Sequence, residues 1–152
     1  MTETAESQTV DILVVDDDPR NRRLLEGYLR SEGYGVRCAA DGAEALQMAA
    51  HTVPDVVLLD VMMPGMNGFE VCKELKARPD TRLTQVILVT ALDGTPHRVE
   101  GLDGGADDYV TKPVRREEFM AKIRAVIRAR RLLGELPRQS VDFPLSPVQR
   151  WA

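Results

Sequence analysis

The sequence predicts an α/β protein, a doubly wound five-stranded parallel sheet of order 2-1-3-4-5 with helices on both faces. Three observations carry this reading. Five short apolar runs alternate with helix-patterned segments, which is the pattern of repeated βα units. Three of the runs are apolar throughout, as strands covered on both faces are. Acidic, hydroxyl and basic residues stand at the ends of these runs, where open α/β sheets gather their ligands.

The strands are expected at 11–15 (DILVV), 35–40 (GVRCAA), 55–59 (DVVLL), 85–90 (QVILVT) and 108–111 (DYVT). The first, third and fourth belong in the centre of the sheet; the second alternates and belongs at an edge. Asp18 followed by Pro19 is an N-cap with proline at the first helical position, and Leu24, Leu25, Tyr28 and Leu29 then recur at helical spacing until Gly33. Asp41 with Glu44, and Asn67 with Glu70, have capping-pair spacing and open helices near 42–51 and 67–77. A short helix is expected from Thr95 and Pro96 to Gly104, and a last one from Arg115 to Gly134 along the stripe Phe119, Ile123, Val126, Ile127 and Leu133. Residues 1–9 read as a disordered polar leader, 10–134 as the domain, and 135–152, with three prolines and no period, as an irregular tail without an output domain.

With 152 residues the chain suits one domain. A net charge of −4 and few aromatic residues offer no footprint for nucleic acid, and no apolar run is long enough to span a bilayer. Cys38 and Cys72 have no CxxC spacing and read as reduced thiols of a cytoplasmic protein. His51 and His97 are isolated, so zinc is not expected.

The predicted topology brings Asp16, Asp17, Asp60, Thr90 and Lys112 to one rim of the sheet. Three carboxylates so close repel by several kcal/mol at a protein surface, so a cation belongs among them. Hard oxygen ligands with open positions suit Mg²⁺, and Lys112 adds a point charge suited to phosphate. There is no histidine base nearby and no nucleotide-binding GxxxxGK[ST] loop. A carboxylate, a metal, a cation and a hydroxyl suit phosphoryl transfer onto aspartate, with Asp60 as acceptor.

The motifs ILVVDDDP, VVLLDVMMPGMNGFEV, VILVTA and GADDYVTKP, in this order and spacing, resemble the receiver domain of two-component response regulators. The resemblance implies a flavodoxin-like fold and phosphorylation of Asp60 by the phosphohistidine of a sensor histidine kinase or a histidine phosphotransfer protein. It implies Mg²⁺ held by Asp17, Asp60 and the backbone carbonyl of Met62, with Asp16 reaching it mostly through water. Lys112 would pair with the phosphoryl group across a cis Lys112–Pro113 peptide. Thr90 and Tyr109 would form the switch, altering the surface of the fourth predicted helix, fifth strand and fifth helix for partner binding or homodimerisation. The chemistry expected is self-phosphorylation and self-dephosphorylation, not enzymatic turnover. Met62 and Leu92 are expected to shield Asp60, so that the phosphoryl group is lost slowly.

An alternative is a haloacid-dehalogenase-like phosphohydrolase, with Asp16 as nucleophile and Asp18 as acid, although Arg20 and the lack of room for a cap fit it poorly. The stretch before Lys112 also resembles receivers attached to diguanylate cyclases, so the domain could be one excised from a longer regulator. Phe143, Leu145 and Trp151 are read as a flexible segment.

Overall fold

The computed structural model describes residues 9–91 and 103–142, with side chains through Gly134. The leader, Leu92, the helix expected from Thr95 and the segment with Phe143, Leu145 and Trp151 lie outside the described residues. Five parallel strands run β1 (Asp11–Val15), β2 (Gly35–Ala39), β3 (Val56–Asp60), β4 (Gln85–Thr90) and β5 (Asp108–Thr111), ordered β2-β1-β3-β4-β5. The described helices are α1 (Pro19–Arg30), α2 (Gly42–His51), α3 (Gly68–Ala77) and α4 (Arg116–Asp142), the last being the fifth predicted from sequence.

Burial explains the strand order. Every residue of β3 and β4 is buried, so these strands take central places, whereas β2 and β5 mix buried and half-exposed positions and form the edges. Alternate residues of the central strands feed two cores. Leu13, Val15, Val57, Leu59, Val86 and Leu88 pack with α2 and α3, while Ile12, Val14, Val56, Leu58 and Ile87 pack with α1 and α4. Each fully buried leucine contributes about 2 kcal/mol through burial alone.

The caps fall where the sequence placed them. Asp18 Oδ1 accepts from the Arg20 N–H at 2.9 Å with Pro19 in the first turn. This backbone hydrogen bond, more than any charge, holds the Asp18 carboxyl below its usual range. Asn67 and Glu70 exchange reciprocal bonds of 3.0 and 2.9 Å. Asp41 caps the Glu44 N–H at 2.8 Å, but Glu44 reaches back one residue further, to the Ala40 N–H.

The last helix departs from expectation. It runs to Asp142, eight residues past Gly134, so the irregular tail does not begin at 135. The helix passes through both Gly134 and Pro137, whose intrinsic cost in a helix interior is about 4 kcal/mol together, so its continuation runs against local propensity. Among the described residues, no helix is long and apolar enough to cross a membrane.

Candidate functional site at the carboxyl rim of the sheet

Strand register assembles the site. Val15 lies opposite Leu59, so the next residues, Asp16 and Asp60, come level at the rim. Asp60 lies opposite Val89, and Thr90 opposite Thr111, which delivers Lys112 one position beyond. The ladder continues outward through Asp16 N–H to Ala39 O at 3.2 Å, Val61 N–H to Val89 O at 3.0 Å and Lys112 N–H to Thr90 O at 2.7 Å. These bonds fix the backbone at Asp16, at Lys112 and at Val61, the residue after Asp60, before any side-chain interaction is counted.

The three carboxylates predicted to converge do so: Asp16, Asp17 and Asp60 each offer an oxygen within 4.8 Å of the others. Asp16 and Asp60 are buried and Asp17 is exposed, so the cluster is a cleft with one open side. Lys112 Nζ stands 3.3 Å from Asp60 Oδ1 and 4.0 Å from Asp16 Oδ2. One ammonium against three carboxylates leaves the cleft markedly negative. Burial first, and the neighbouring Asp16 charge second, push the Asp60 carboxyl up to about 6, against the pull of Lys112 and the Met62 N–H.

Thr90 ends β4 and is buried. The Lys112–Pro113 peptide is cis. Tyr109 is half-buried on the edge strand β5, packed against the core that contains Leu88 and Ala106. The Met62 side chain is 66 % exposed and lines an open cavity of about 560 Å³ with Pro64 and Phe69.

Three contributors were not legible in the sequence. Arg22 Nη1 donates to the Asp16 carbonyl at 2.6 Å, and the Asp18 N–H donates to Asp16 Oδ1 at 2.9 Å, so both orient Asp16. Gly68, the first residue of α3, lies so close to β3 that a Cβ there would sit 2.6 Å from the Asp60 carbonyl oxygen. Its φ lies in the ordinary range; proximity, not backbone freedom, demands glycine. The sequence places Gly68 directly after the Asn67 cap, and only the packing of α3 on β3 shows why glycine is needed there.

The donor set fits a hard divalent cation: three carboxylates, one open side, and a raised Asp60 proton affinity that a cation would relieve. The arrangement does not suit the phosphohydrolase alternative. Asp18, its required acid, is committed to capping α1, and the Asp16 carboxylate accepts the Asp18 N–H.

Comparison with known proteins agrees with this geometry. The family described as the response regulator receiver domain matches residues 12–124. Response regulator PleD of Caulobacter vibrioides is 51 % identical over 131 residues, covering 86 % of this chain and 29 % of its own length. Response regulator MprA of Mycobacterium ulcerans is 44 % identical over 147 residues, 93 % of this chain and 62 % of its own. The chain thus spans less than two thirds of either relative. Chemotaxis protein CheY4 of Vibrio cholerae superposes with a TM-score of 0.75 at 32 % identity, covering 78 % of this chain and 98 % of that one. The receiver domain of a sensor histidine kinase from Pseudomonas aeruginosa, solved with a magnesium ion coordinated in its active site cleft, gives a TM-score of 0.73 at 33 % identity, covering 78 % and 98 %. With the acid cluster, the strand order and the cis proline all in place, the chain belongs to the receiver-domain family of response regulators, the signalling domains of two-component systems.

Proposed function

We propose that Asp60 accepts a phosphoryl group from the phosphohistidine of a sensor histidine kinase or a histidine phosphotransfer protein. The observation that carries the reading is the pairing of Lys112 Nζ with Asp60 Oδ1 at 3.3 Å inside an acid cluster that one ammonium cannot neutralise. A carboxylate oxygen of Asp60 attacks phosphorus, the P–N bond breaks, and the leaving imidazole takes up a proton. The product is an acyl phosphate, whose oxygens lie within reach of the Lys112 ammonium and the Thr90 hydroxyl. Asp16, Asp17, Asp60 and the Met62 carbonyl would hold Mg²⁺, which when bound neutralises the charge of the transferring group.

The approach of the donor is favoured by the cavity beside Lys112. It measures about 190 Å³ and is lined by Asp16, Asn21, Leu24, Pro113 and Val114 among others. Leu24 is 46 % exposed on its lip, which suits an apolar helical surface presenting the phosphohistidine. Donors of this kind are charged by ATP, which places the exchange in the cytoplasm. After transfer, Thr90 moves toward the phosphoryl oxygens and Tyr109 turns inward, altering the face built on β5 and α4 for partner binding or dimerisation. The chain's chemistry is then confined to gaining and losing its own phosphoryl group.

Incubation with acetyl phosphate and Mg²⁺, followed by intact mass measurement and reductive trapping of the acyl phosphate, tests this directly. One phosphoryl group mapped to Asp60 and absent from Asp60→Asn is the expected result. Labelling at Asp16, or none with Mg²⁺ present, overturns it.

A further inference from the structure

Lys122 projects from α4, which covers one face of the sheet, yet its ammonium meets the switch tyrosine whose neighbours belong to the opposite core. The crossing is feasible because β5 is an edge strand and no further strand blocks the way. Lys122 Nζ donates to the outward-facing Tyr109 carbonyl at 2.9 Å, pairs with Asp108 Oδ1 at 3.1 Å and lies 4.8 Å from the centroid of the Tyr109 ring. Its side chain is 24 % exposed, so the cation is partly desolvated over the ring. Asp108 Oδ1 also accepts the Tyr109 N–H at 2.8 Å, which closes a compact knot around one residue.

We infer that Lys122 is a positioning residue for Tyr109: its ammonium, lying over the ring, holds the tyrosine in the unphosphorylated arrangement and must release the ring when the site is occupied. This rests on the switch role proposed above for Tyr109. Three consequences follow from the geometry. The two hydrogen bonds anchor the ammonium to β5 whatever the ring does, so the cation stays in place while the ring comes and goes. Ring departure forfeits one cation–π contact, which biases the resting state by about two- to fivefold at a partly exposed position. Because coupling is reciprocal, removing that contact must raise the affinity of the site for a phosphoryl mimic by the same factor. A lysine far from the acid cluster thereby sets how readily the site is occupied.

The test uses the full chain labelled with 3-fluorotyrosine, the Tyr109 resonance being assigned by its loss in Tyr109→Phe. Wild type is titrated with beryllofluoride and Mg²⁺, alongside Lys122→Met, which keeps the methylenes without the charge, and Lys122→Arg, which restores a cation. Lys122→Gln provides a second neutral variant should Lys122→Met fail to fold. The expected result is a Tyr109 resonance in the neutral variants already displaced toward the beryllofluoride-bound position. Half-saturation should fall about two- to fivefold, with Lys122→Arg returning to wild type. A wild-type resonance that moves, beside neutral variants indistinguishable from wild type, overturns the Lys122 role while leaving the switch reading intact. A wild-type Tyr109 that does not respond at all removes both.

Discussion

Replacing the acceptor acid should make the metal-free protein more stable, and the size of the effect can be worked from the cleft. Asp60 is only 4 % exposed and its carboxyl is raised from 3.8 to about 6, by burial first and by Asp16 second. Carboxylate oxygens lying within 4.8 Å of one another repel by roughly 3.5 kcal/mol or more at an effective dielectric of 20. On the same scale the Lys112 ammonium at 3.3 Å returns roughly 5 kcal/mol, so repulsion alone does not raise the carboxyl and burial is the larger cause. A rise of about two units at 1.36 kcal/mol each means that ionising Asp60 costs the fold about 3 kcal/mol relative to the unfolded chain.

The direction with pH follows from proton counting. The folded carboxyl holds its proton more tightly than the unfolded one, so the native state binds more protons between about pH 4 and 6. Stability contributed at this position therefore falls as pH rises through that window, and the full cost is present above it. Asn is nearly isosteric and never ionises. Asp60→Asn should accordingly gain about 1–3 kcal/mol at pH 7.5, the loss of the Lys112 ion pair trimming the upper end, and the gain should shrink toward pH 4. Urea unfolding in the presence of a chelator at both pH values measures this. Equal or lower stability of the variant at pH 7.5, or an advantage that does not change with pH, would refute the reasoning.

Other substitutions separate the parts of the site. Asp17→Asn, at an exposed position of the cluster, should change unfolding free energy by less than about 0.5 kcal/mol while weakening Mg²⁺ binding about tenfold or more, as read by calorimetric titration. Gly68→Ala places a Cβ 2.6 Å from the Asp60 carbonyl oxygen; it should cost about 1–3 kcal/mol in urea unfolding and slow acetyl phosphate labelling, because the backbone of the acceptor must move. Thr90→Ala should still be labelled at Asp60 but no longer transmit the event, so its Tyr109 resonance and partner affinity should stay unaltered on adding beryllofluoride; a wild-type response in that variant would exclude Thr90 from the switch. Mg²⁺ at one hundred times its dissociation constant should stabilise wild type by about 2.7 kcal/mol and Asp60→Asn by less.

The features legible in the sequence share a physical cause: each is set by neighbours along the chain. A strand buried on both faces has to be apolar throughout, so DILVV, DVVLL and QVILVT announced their own central places. Caps act over three residues, so Asp18, Asp41 and Asn67 marked three helix starts correctly. Asp16, Asp60, Thr90 and Lys112 were legible because parallel strands must deposit their carboxyl ends on one rim. The approach of Gly68 to Asp60, the reach of Arg22 to the Asp16 carbonyl and the passage of Lys122 around the sheet edge depend on how a helix settles on the sheet, and spacing in sequence does not encode that. The continuation of α4 to Asp142 was not legible because Gly134, the prolines after it and the lack of a period all pointed to an end there, and local propensity offers no signal for a helix that passes through Pro137.

Under the proposed function, charge accounting explains why a buried hydroxyl belongs beside Asp60. Three carboxylates and one ammonium leave the cleft near −2, and a divalent cation bound there brings the sum close to zero. Phosphorylation replaces the single charge of Asp60 by about −1.5 to −2, so the neutralised cleft becomes negative again. No second ammonium of the described residues pairs with Asp60, and the new oxygens must find neutral donors on the rim. Thr90, one residue beyond Val89, the register partner of Asp60 on the adjoining strand, is placed to be one of them. A donor drawn toward a new anion leaves its former space behind, and Tyr109, on the next strand and opposite Leu88, is the large side chain nearest along the ladder to fill it. In the proposed function the electrostatic deficit created by the chemistry would drive the rearrangement, and the Lys122 ammonium 4.8 Å from the Tyr109 ring centroid would set how large that deficit must be before the ring moves.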